Sequence, residues 1–239
     1  MAKYSVRCYS LGPIQTNCYI VSNKNKECLI FDPGEEGERL VKDIRANGLK
    51  PLAIFLTHAH FDHIGAVDIV RDTFDVPVYI HEKEVEWLGD PLKNGSGKYF
   101  ELPNYKIKAP LAEHIIRAEQ TFEIADFTFE AVFTPGHSPG SVSYLFKNDS
   151  FAIVGDTLFE RSIGRTDLIG GSMPVLLKSI HDKLLSLPED TIIYPGHGSY
   201  TTPEAEMQNN PFLNGFKLKK LQYYRAMLKE EETKKSVPP

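Results

Sequence analysis

The sequence predicts an α+β chain folded as a four-layer αββα sandwich, two β-sheets face to face with helices packed on their outer surfaces. Three observations carry this. Strand-like runs followed by a helix occur in the first half and again in the second, a fully apolar run at Leu52–Leu56 reads as a buried strand, and Met173–Leu187 reads as an amphipathic helix. The 239 residues suit one large domain, assigned to residues 1–216, with a short appendage at 217–239.

In order along the chain, Cys18–Val21 and Cys28–Phe31 are short β-rich runs separated by the polar turn 22–25. Asp32-Pro33-Gly34 breaks the second run. Glu35–Asn47 is then helical, with Leu40, Val41 and Ile44 on one face and Gly48 closing it. After Leu52–Leu56, a helix is expected over Ile64–Phe74, a strand at Pro77–Ile80 and a short helix at Glu82–Leu88. Periodicity fails from Gly89 to Pro110, a length that marks either a binding loop or a solvated insertion. Residues 121–159 read as successive antiparallel strands with a hairpin turn at Asn148-Asp149. The Met173–Leu187 helix aligns Leu176, Leu177, Ile180, Leu184 and Leu187, with Pro174 in its first turn. Thr191–Tyr194 is the last strand. Lys217–Lys235 is expected to be a basic amphipathic helix with Leu218, Leu221, Tyr224 and Leu228 on its apolar face.

Charge and composition exclude several classes. Lys and Arg total 27 against 32 Asp and Glu, a net charge of −5 that disfavours a nucleic-acid-coating surface. No apolar run approaches the length of a membrane span, and the first residues lack the apolar stretch of a secretory signal. The three cysteines, at positions 8, 18 and 28, are an odd number with no close pair, which predicts buried free thiols and a cytoplasmic setting.

Of eight histidines, five keep unusual company. Directly after the buried strand comes Thr57-His58-Ala59-His60-Phe61-Asp62-His63-Ile64-Gly65. In extended backbone His58 and His60 point to one side, and Asp62 and His63 fall at the start of the next helix. Neutral imidazoles and carboxylates are the ligand set of zinc and other borderline divalent metals. His137 lies in Thr134-Pro135-Gly136-His137-Ser138-Pro139-Gly140, Asp156 ends the apolar run Phe151–Gly155, and His197 lies in Pro195-Gly196-His197-Gly198. Each is a metal-competent side chain at a strand terminus, where a rigid sheet can hold it. His81, His114 and His181 lack such surroundings and are expected to be packing or surface residues.

The string THAHFDHIG resembles the His-x-His-x-Asp-His signature of the metallo-β-lactamase superfamily, and TPGHSPGS, GDTLF and PGHG follow in that superfamily's order. The resemblance runs from Leu11 to Phe212. Residues 162–168 and TTPEAEMQNNPF are similar to the glyoxalase II-like hydrolases, which cleave S-acylglutathione thioesters. The resemblance implies the metallo-β-lactamase sandwich and two divalent metal ions, zinc foremost, with iron or manganese accepted by the same ligands. His58, His60 and His137 would bind the first, Asp62, His63 and His197 the second, and Asp156 would bridge them. It implies that a hydroxide held between the metals attacks the thioester carbonyl, with Asp62 and Asp156 as the carboxylates of the catalytic centre. The implied partner is a small-molecule substrate, an anionic thioester or ester, with no nucleic acid and no membrane.

The chain also departs from that pattern. Only residues 198–209 separate His197 from Asn210, so the helical segment that supplies much of the glutathione contact in longer glyoxalase II enzymes is absent, and Arg225 and Lys229 stand four apart. The chain is therefore more similar to short bacterial glyoxalase II-like proteins. Lys98, Tyr99, Tyr105, Lys106 and Lys108 are local candidates for holding an anionic substrate tail, and Arg165 and Asp167 are expected to pair with each other at the site's rim. A mononuclear iron persulfide dioxygenase, which uses the equivalents of His58, His137 and Asp156, and a lactonase are the competing activities. A binding module that has lost catalysis would lack ligands, and all seven candidates are present.

Overall fold

The computed structural model describes residues 3–99 and 106–213. Two sheets dominate it. The first is built from β1 (Ser5–Leu11), β2 (Thr16–Ser22), β3 (Glu27–Phe31), β4 (Lys50–Phe55), β5 (Val78–His81) and β6 (His114–Ile116), in that spatial order. The second runs β13 (Ile192–Pro195), β10 (Phe151–Gly155), β9 (Val142–Phe146), β8 (Phe127–Phe133), β7 (Gln120–Ile124). A small hairpin, β11 (Leu158–Phe159) with β12 (Ser162–Ile163), follows the strand that precedes Asp156. The helices are α1 (Gly37–Ala46), α2 (Phe61–Ile64), α3 (Val67–Phe74), α4 (Ser96–Tyr99), α5 (Met173–Ser179) and α6 (Pro203–Asn209). No helix among the described residues is long and apolar enough to cross a membrane.

The predicted layers are visible in how the strands divide their side chains. Along β2 and β3, Cys18, Ile20, Cys28 and Ile30 face outward into a cluster with Leu40, Val41 and Ile44 of α1 and Val67 and Val70 of α3. The alternate residues Tyr19, Val21, Leu29 and Phe31 face inward, where they meet Phe127, Phe129, Tyr144 and Phe146 of the second sheet. The far side of that sheet, through Leu145, Ala152 and Val154, covers Leu176, Leu177 and Ile180. Period-two alternation thus produces three apolar interfaces between four layers. The central interface is aromatic: Phe31 lies 5.6 Å from Phe55 and 5.2 Å from Tyr144, centroid to centroid.

Several elements differ from expectation, each for a local reason. The helix expected over Ile64–Phe74 is two helices, α2 and α3, interrupted at Gly65-Ala66. There the Asp32-Pro33-Gly34 turn crosses so closely that a Cβ on Gly65 would stand 2.3 Å from the Gly34 carbonyl oxygen. The Glu82–Leu88 segment is a 3₁₀ helix over Glu82–Trp87, and the Met173–Leu187 helix passes from α5 into a π-helical turn at Ile180–Leu184. β1 and β6 had no apolar signature: β1 is a half-exposed edge strand and β6 has three residues. Cys18 and Cys28 are buried free thiols as expected, but Cys8, on the edge strand β1, is exposed. Tyr105, Arg225, Lys229 and the helix expected at 217–235 lie outside the described residues, as do the side chains of Lys98 and Tyr99.

Candidate metal centre

The candidate ligands converge because parallel strands end at one edge. β3 and β4 are parallel, as are β10 and β13, so the segments after their C-termini, which carry Asp32, His58–His63, Asp156 and His197, open on the same side. The sheets are stitched together at that edge. Val142 N–H donates to the Thr57 carbonyl at 2.8 Å, the Tyr144 hydroxyl to the Leu56 carbonyl at 2.7 Å, and the Tyr19 hydroxyl to the Pro195 carbonyl at 2.6 Å.

All seven predicted side chains meet there. His58, His60 and His137 bring one ring nitrogen each into a group spanning no more than 4.8 Å, and Asp62, His63 and His197 form a second such group. Asp156 stands between them: Oδ1 is 3.4 Å from His63 Nε2, while Oδ2 is 3.5 Å from both His137 Nε2 and His197 Nε2. Asp62 Oδ2 lies 3.3 Å from His197 Nε2. His60 Nδ1 and His137 Nε2 approach to 2.8 Å. His58 Nε2, His63 Nε2 and Asp156 Oδ1 are buried with no hydrogen-bond partner. Orphaned buried donors and acceptors are costly, and atoms of this chemistry converging on shared points fit divalent cations. Gly196 is required by this crowding, since a Cβ there would come within 2.1 Å of Asp156 Oδ1.

A set of surrounding groups fixes which nitrogen the rings of His58, His63 and His137 turn inward. The Thr57 hydroxyl meets His58 Nδ1 at 3.0 Å, and His137 Nδ1 lies 2.8 Å from the Arg165 carbonyl. Asp32, which the sequence reading passed over, takes the Thr57 N–H at 2.7 Å and the Thr57 hydroxyl at 2.6 Å, and its Oδ2 lies 2.9 Å from His63 Nδ1. The Thr16 hydroxyl donates to Asp62 Oδ2 at 2.7 Å. Such partners orient ligand side chains and tune their basicity. Asp32 closes an apolar strand, as Asp156 does, so the placement that marked Asp156 marks Asp32 as well.

Burial and charge split the histidines into two kinds. Burial drives His58 and His137 below the ordinary imidazole value and His60 down to about 3, helped for His60 by His137 beside it. Burial acts the same way on His63 and His197, but carboxylates overcome it. Asp62, Asp156 and Asp32 hold His63 well above its ordinary value, and hydrogen bonds to Asp156 and Asp62 raise His197 to about 9. Burial opposes ionisation of Asp62 and Asp156, yet His63 and His197 keep both below the usual carboxylate range, Asp62 at about 2. The raised values predict that the metal-free protein carries protons on His63 and His197 at pH 7, which a cation bound there would displace. Isothermal titration in buffers of different ionisation enthalpy should show release of about two protons on full loading at pH 7. The sign follows from the raised values: each displaced proton costs about a tenfold loss of affinity per pH unit as pH falls. For His197 that dependence should vanish above about 9.

The centre opens into a cleft of about 410 Å³. Phe61, Leu92, Leu168 and Ile169 supply apolar wall, and Lys93, Asn94, Arg165 and Asp167 supply polar rim. Leu92 through Gly95 come from the segment without periodicity, so part of it borders the centre; the buried Asn94 side chain holds it by bonds to the Trp87 and Ile107 carbonyls. Arg165 and Asp167 form the expected pair, two-pronged at 2.8 and 2.7 Å. Lys106 and Lys108 are exposed and are not among the residues lining the cleft. His81 is buried against Phe133, His114 stacks on Tyr79, and His181 is exposed beside Asp182, the packing and surface roles expected of them, and none belongs to a metal-competent group among the described residues.

Residues 11–197 match the family model described as the metallo-β-lactamase superfamily. A probable metallo-hydrolase, YqgX of Bacillus subtilis, is 52% identical over 208 residues, covering 87% of this chain and 97% of that protein. The Haemophilus influenzae protein named hydroxyacylglutathione hydrolase GloC is 38% identical over 201 residues, 84% of this chain and 93% of its own. The crystal structure of BLEG-1 B3 metallo-β-lactamase aligns with a TM-score of 0.85 at 52% identity, covering 88% of this chain and all of that one. TTHA1623 in a di-iron-bound form aligns with a TM-score of 0.76 at 37% identity over 87% of this chain. This chain belongs to the metallo-β-lactamase superfamily and has its metallo-hydrolase fold, with candidate metal-binding His and Asp side chains gathered at the sheets' shared edge.

Proposed function

We propose that the protein is a binuclear metal-dependent hydrolase of thioesters or esters, with S-acylglutathione-type thioesters as its substrate class. The observation that carries this is Asp156 standing between two complete three-ligand groups, each within reach of one of its oxygens. His58, His60 and His137 would hold one metal, Asp62, His63 and His197 the other, and Asp156 both. Divalent metals bound there supply an acidified water as nucleophile and polarise the attacked carbonyl. The chain's own part is to hold the ligands: Asp32, Thr57 and the Arg165 carbonyl fix the rings of His63, His58 and His137, and Thr16 fixes Asp62. The cleft walls orient the acyl group over Asp156 and limit bulk water. A thiolate leaves without an acid catalyst, because thiol pKa values are about 8.5, which suits a cleft whose imidazoles all face one another.

The name of the Haemophilus relative supports the thioester, and the di-iron form of one structural neighbour supports iron alongside zinc and manganese as candidate metals. The three free thiols support a cytoplasmic setting. A β-lactam is the second reading, carried by the 52% identity to a structure described as a B3 metallo-β-lactamase. Metal content of protein purified without added metal, measured beside hydrolysis of S-lactoylglutathione and of a chromogenic cephalosporin, decides between them. The expected result is about two metals per chain with thioester turnover. Cephalosporin opening without thioester turnover would establish the second reading, and one iron per chain with oxygen uptake on glutathione persulfide would overturn both.

A further inference from the structure

A second buried carboxylate, Glu84, lies just outside the metal groups. It sits on the 3₁₀ helix Glu82–Trp87, fully buried, with each oxygen committed to a different loop. Oε2 accepts the Ala59 N–H at 2.6 Å, and Oε1 accepts the Gly140 N–H at 2.7 Å. Ala59 is the residue between His58 and His60, and Gly140 closes the turn that begins with His137. The two loops come from different sheets and are separated by about eighty residues of chain, as His60 and His137 are by 77. One side chain thus ties together the two backbone segments that carry His58, His60 and His137, and it hydrogen-bonds none of Asp62, His63 and His197, meeting His63 only through charge. Asp62 is held instead by Thr16, and His63 by Asp32.

We propose that Glu84 is a positioning residue specific to the first metal group: by bridging Ala59 and Gly140 it sets the separation between the His58/His60 loop and the His137 loop, and so the affinity of that group alone. This rests on the reading that the three histidines hold a metal. The physical case is one of geometry. A metal ligand must stand within a few tenths of an ångström of its place. The two segments are joined at their bases by the Val142 N–H bond to the Thr57 carbonyl, and Glu84 adds the link between Ala59 and Gly140, beside the His60–His137 approach. A carboxylate suits this task because both oxygens accept, and charge-assisted bonds to backbone N–H are short and strong. Burial raises the Glu84 carboxyl above its ordinary value, while the Ser138 hydroxyl and the two backbone N–H groups pull it back down. Serine 138 belongs to the same turn, so the His137 loop grips the carboxylate twice.

The test is a cobalt(II) titration of the full chain followed by visible absorption, with wild type and Glu84→Gln compared. A carboxamide has one acceptor oxygen and turns an NH₂ toward the other backbone donor, so one bridge is lost. Wild type should take up two equivalents in distinguishable steps. In Glu84→Gln one step should weaken by 10- to 100-fold while the other shifts by less than about threefold. Should Glu84→Gln fail to fold, Gly140→Ala answers the same question. Its Cβ would lie 2.9 Å from Glu84 Cγ and 3.1 Å from Oε1, displacing the carboxylate without deleting it. Thr16→Val is the counter-control, because the Thr16 hydroxyl holds Asp62 of the second group, and it should weaken the opposite step. Equal weakening of both steps by Glu84→Gln or Gly140→Ala, or no weakening of either, overturns the inference. A wild type that binds no cobalt in the three-histidine group would instead overturn the metal reading beneath it.

Discussion

Asp156→Ala protein is expected to bind neither metal at the affinity of wild type and to lose turnover by at least about a thousandfold. Among the described residues, Asp156 is the one side chain with an oxygen toward each group, 3.4 Å from His63 and 3.5 Å from His137 and His197. Removing it takes a negative charge from both sites at once and leaves five imidazoles facing each other with Asp62 as the remaining inner carboxylate. Metal ions contribute several kcal/mol of charge stabilisation in this kind of catalysis, and at about 1.4 kcal/mol per decade that loss alone reaches a factor of about 10³. Metal analysis after gel filtration, with turnover measured on the same samples, checks it. Retention of one tightly held metal by Asp156→Ala would show that the carboxylate serves a single group.

Asp32→Ala should be the more damaging change to the fold. Asp32 contacts neither cleft nor substrate, but its carboxylate takes the Thr57 N–H and hydroxyl, and its Oδ2 sits 2.9 Å from His63 Nδ1, all in the interior. Alanine takes this partner from the buried Thr57 N–H and His63 Nδ1 and leaves the Thr57 hydroxyl with His58 Nδ1 alone, and breaking a buried charged pair from one side costs about 3–5 kcal/mol. Urea unfolding of the metal-free protein should therefore show a large drop in midpoint with little change in slope. Whatever folds should bind the second metal about 10- to 100-fold more weakly, because His63 has lost the group that aims its Nε2. An unchanged unfolding midpoint would mean that water replaces Asp32 at no cost.

The layers of this fold were readable in one dimension because they depend on local periodicity. Alternation in Cys18–Val21 and Cys28–Phe31 assigns each residue to one of two interfaces, and the helical spacing of Leu176, Leu177, Ile180 and Leu184 assigns a third. The metal-competent cluster was readable because four of its members lie within six residues and the others sit at strand ends among glycines and prolines. The breaks in the expected helices were not readable. Gly65 interrupts the Ile64–Phe74 run because the Gly34 backbone passes against it, a contact that no helical pattern contains.

The groups that support the ligands were hidden for the same reason. Glu84 lies within HEKE, a run whose composition is that of a solvated surface, yet it is completely buried because the 3₁₀ helix turns it toward Ala59 and Gly140. Thr16 reaches Asp62 across 46 residues of chain, and Asp32 reaches His63 across 31. By itself the sequence determined most of the strands and helices, the four-layer order and the seven candidate side chains for metal, since residue type and local spacing suffice for each. Only the tertiary structure decided that Asp156 faces both groups, which ring nitrogen each histidine turns inward and which buried carboxylates hold the loops. Those are set by close approach of segments far apart in the chain, where a few tenths of an ångström separate a hydrogen bond from none.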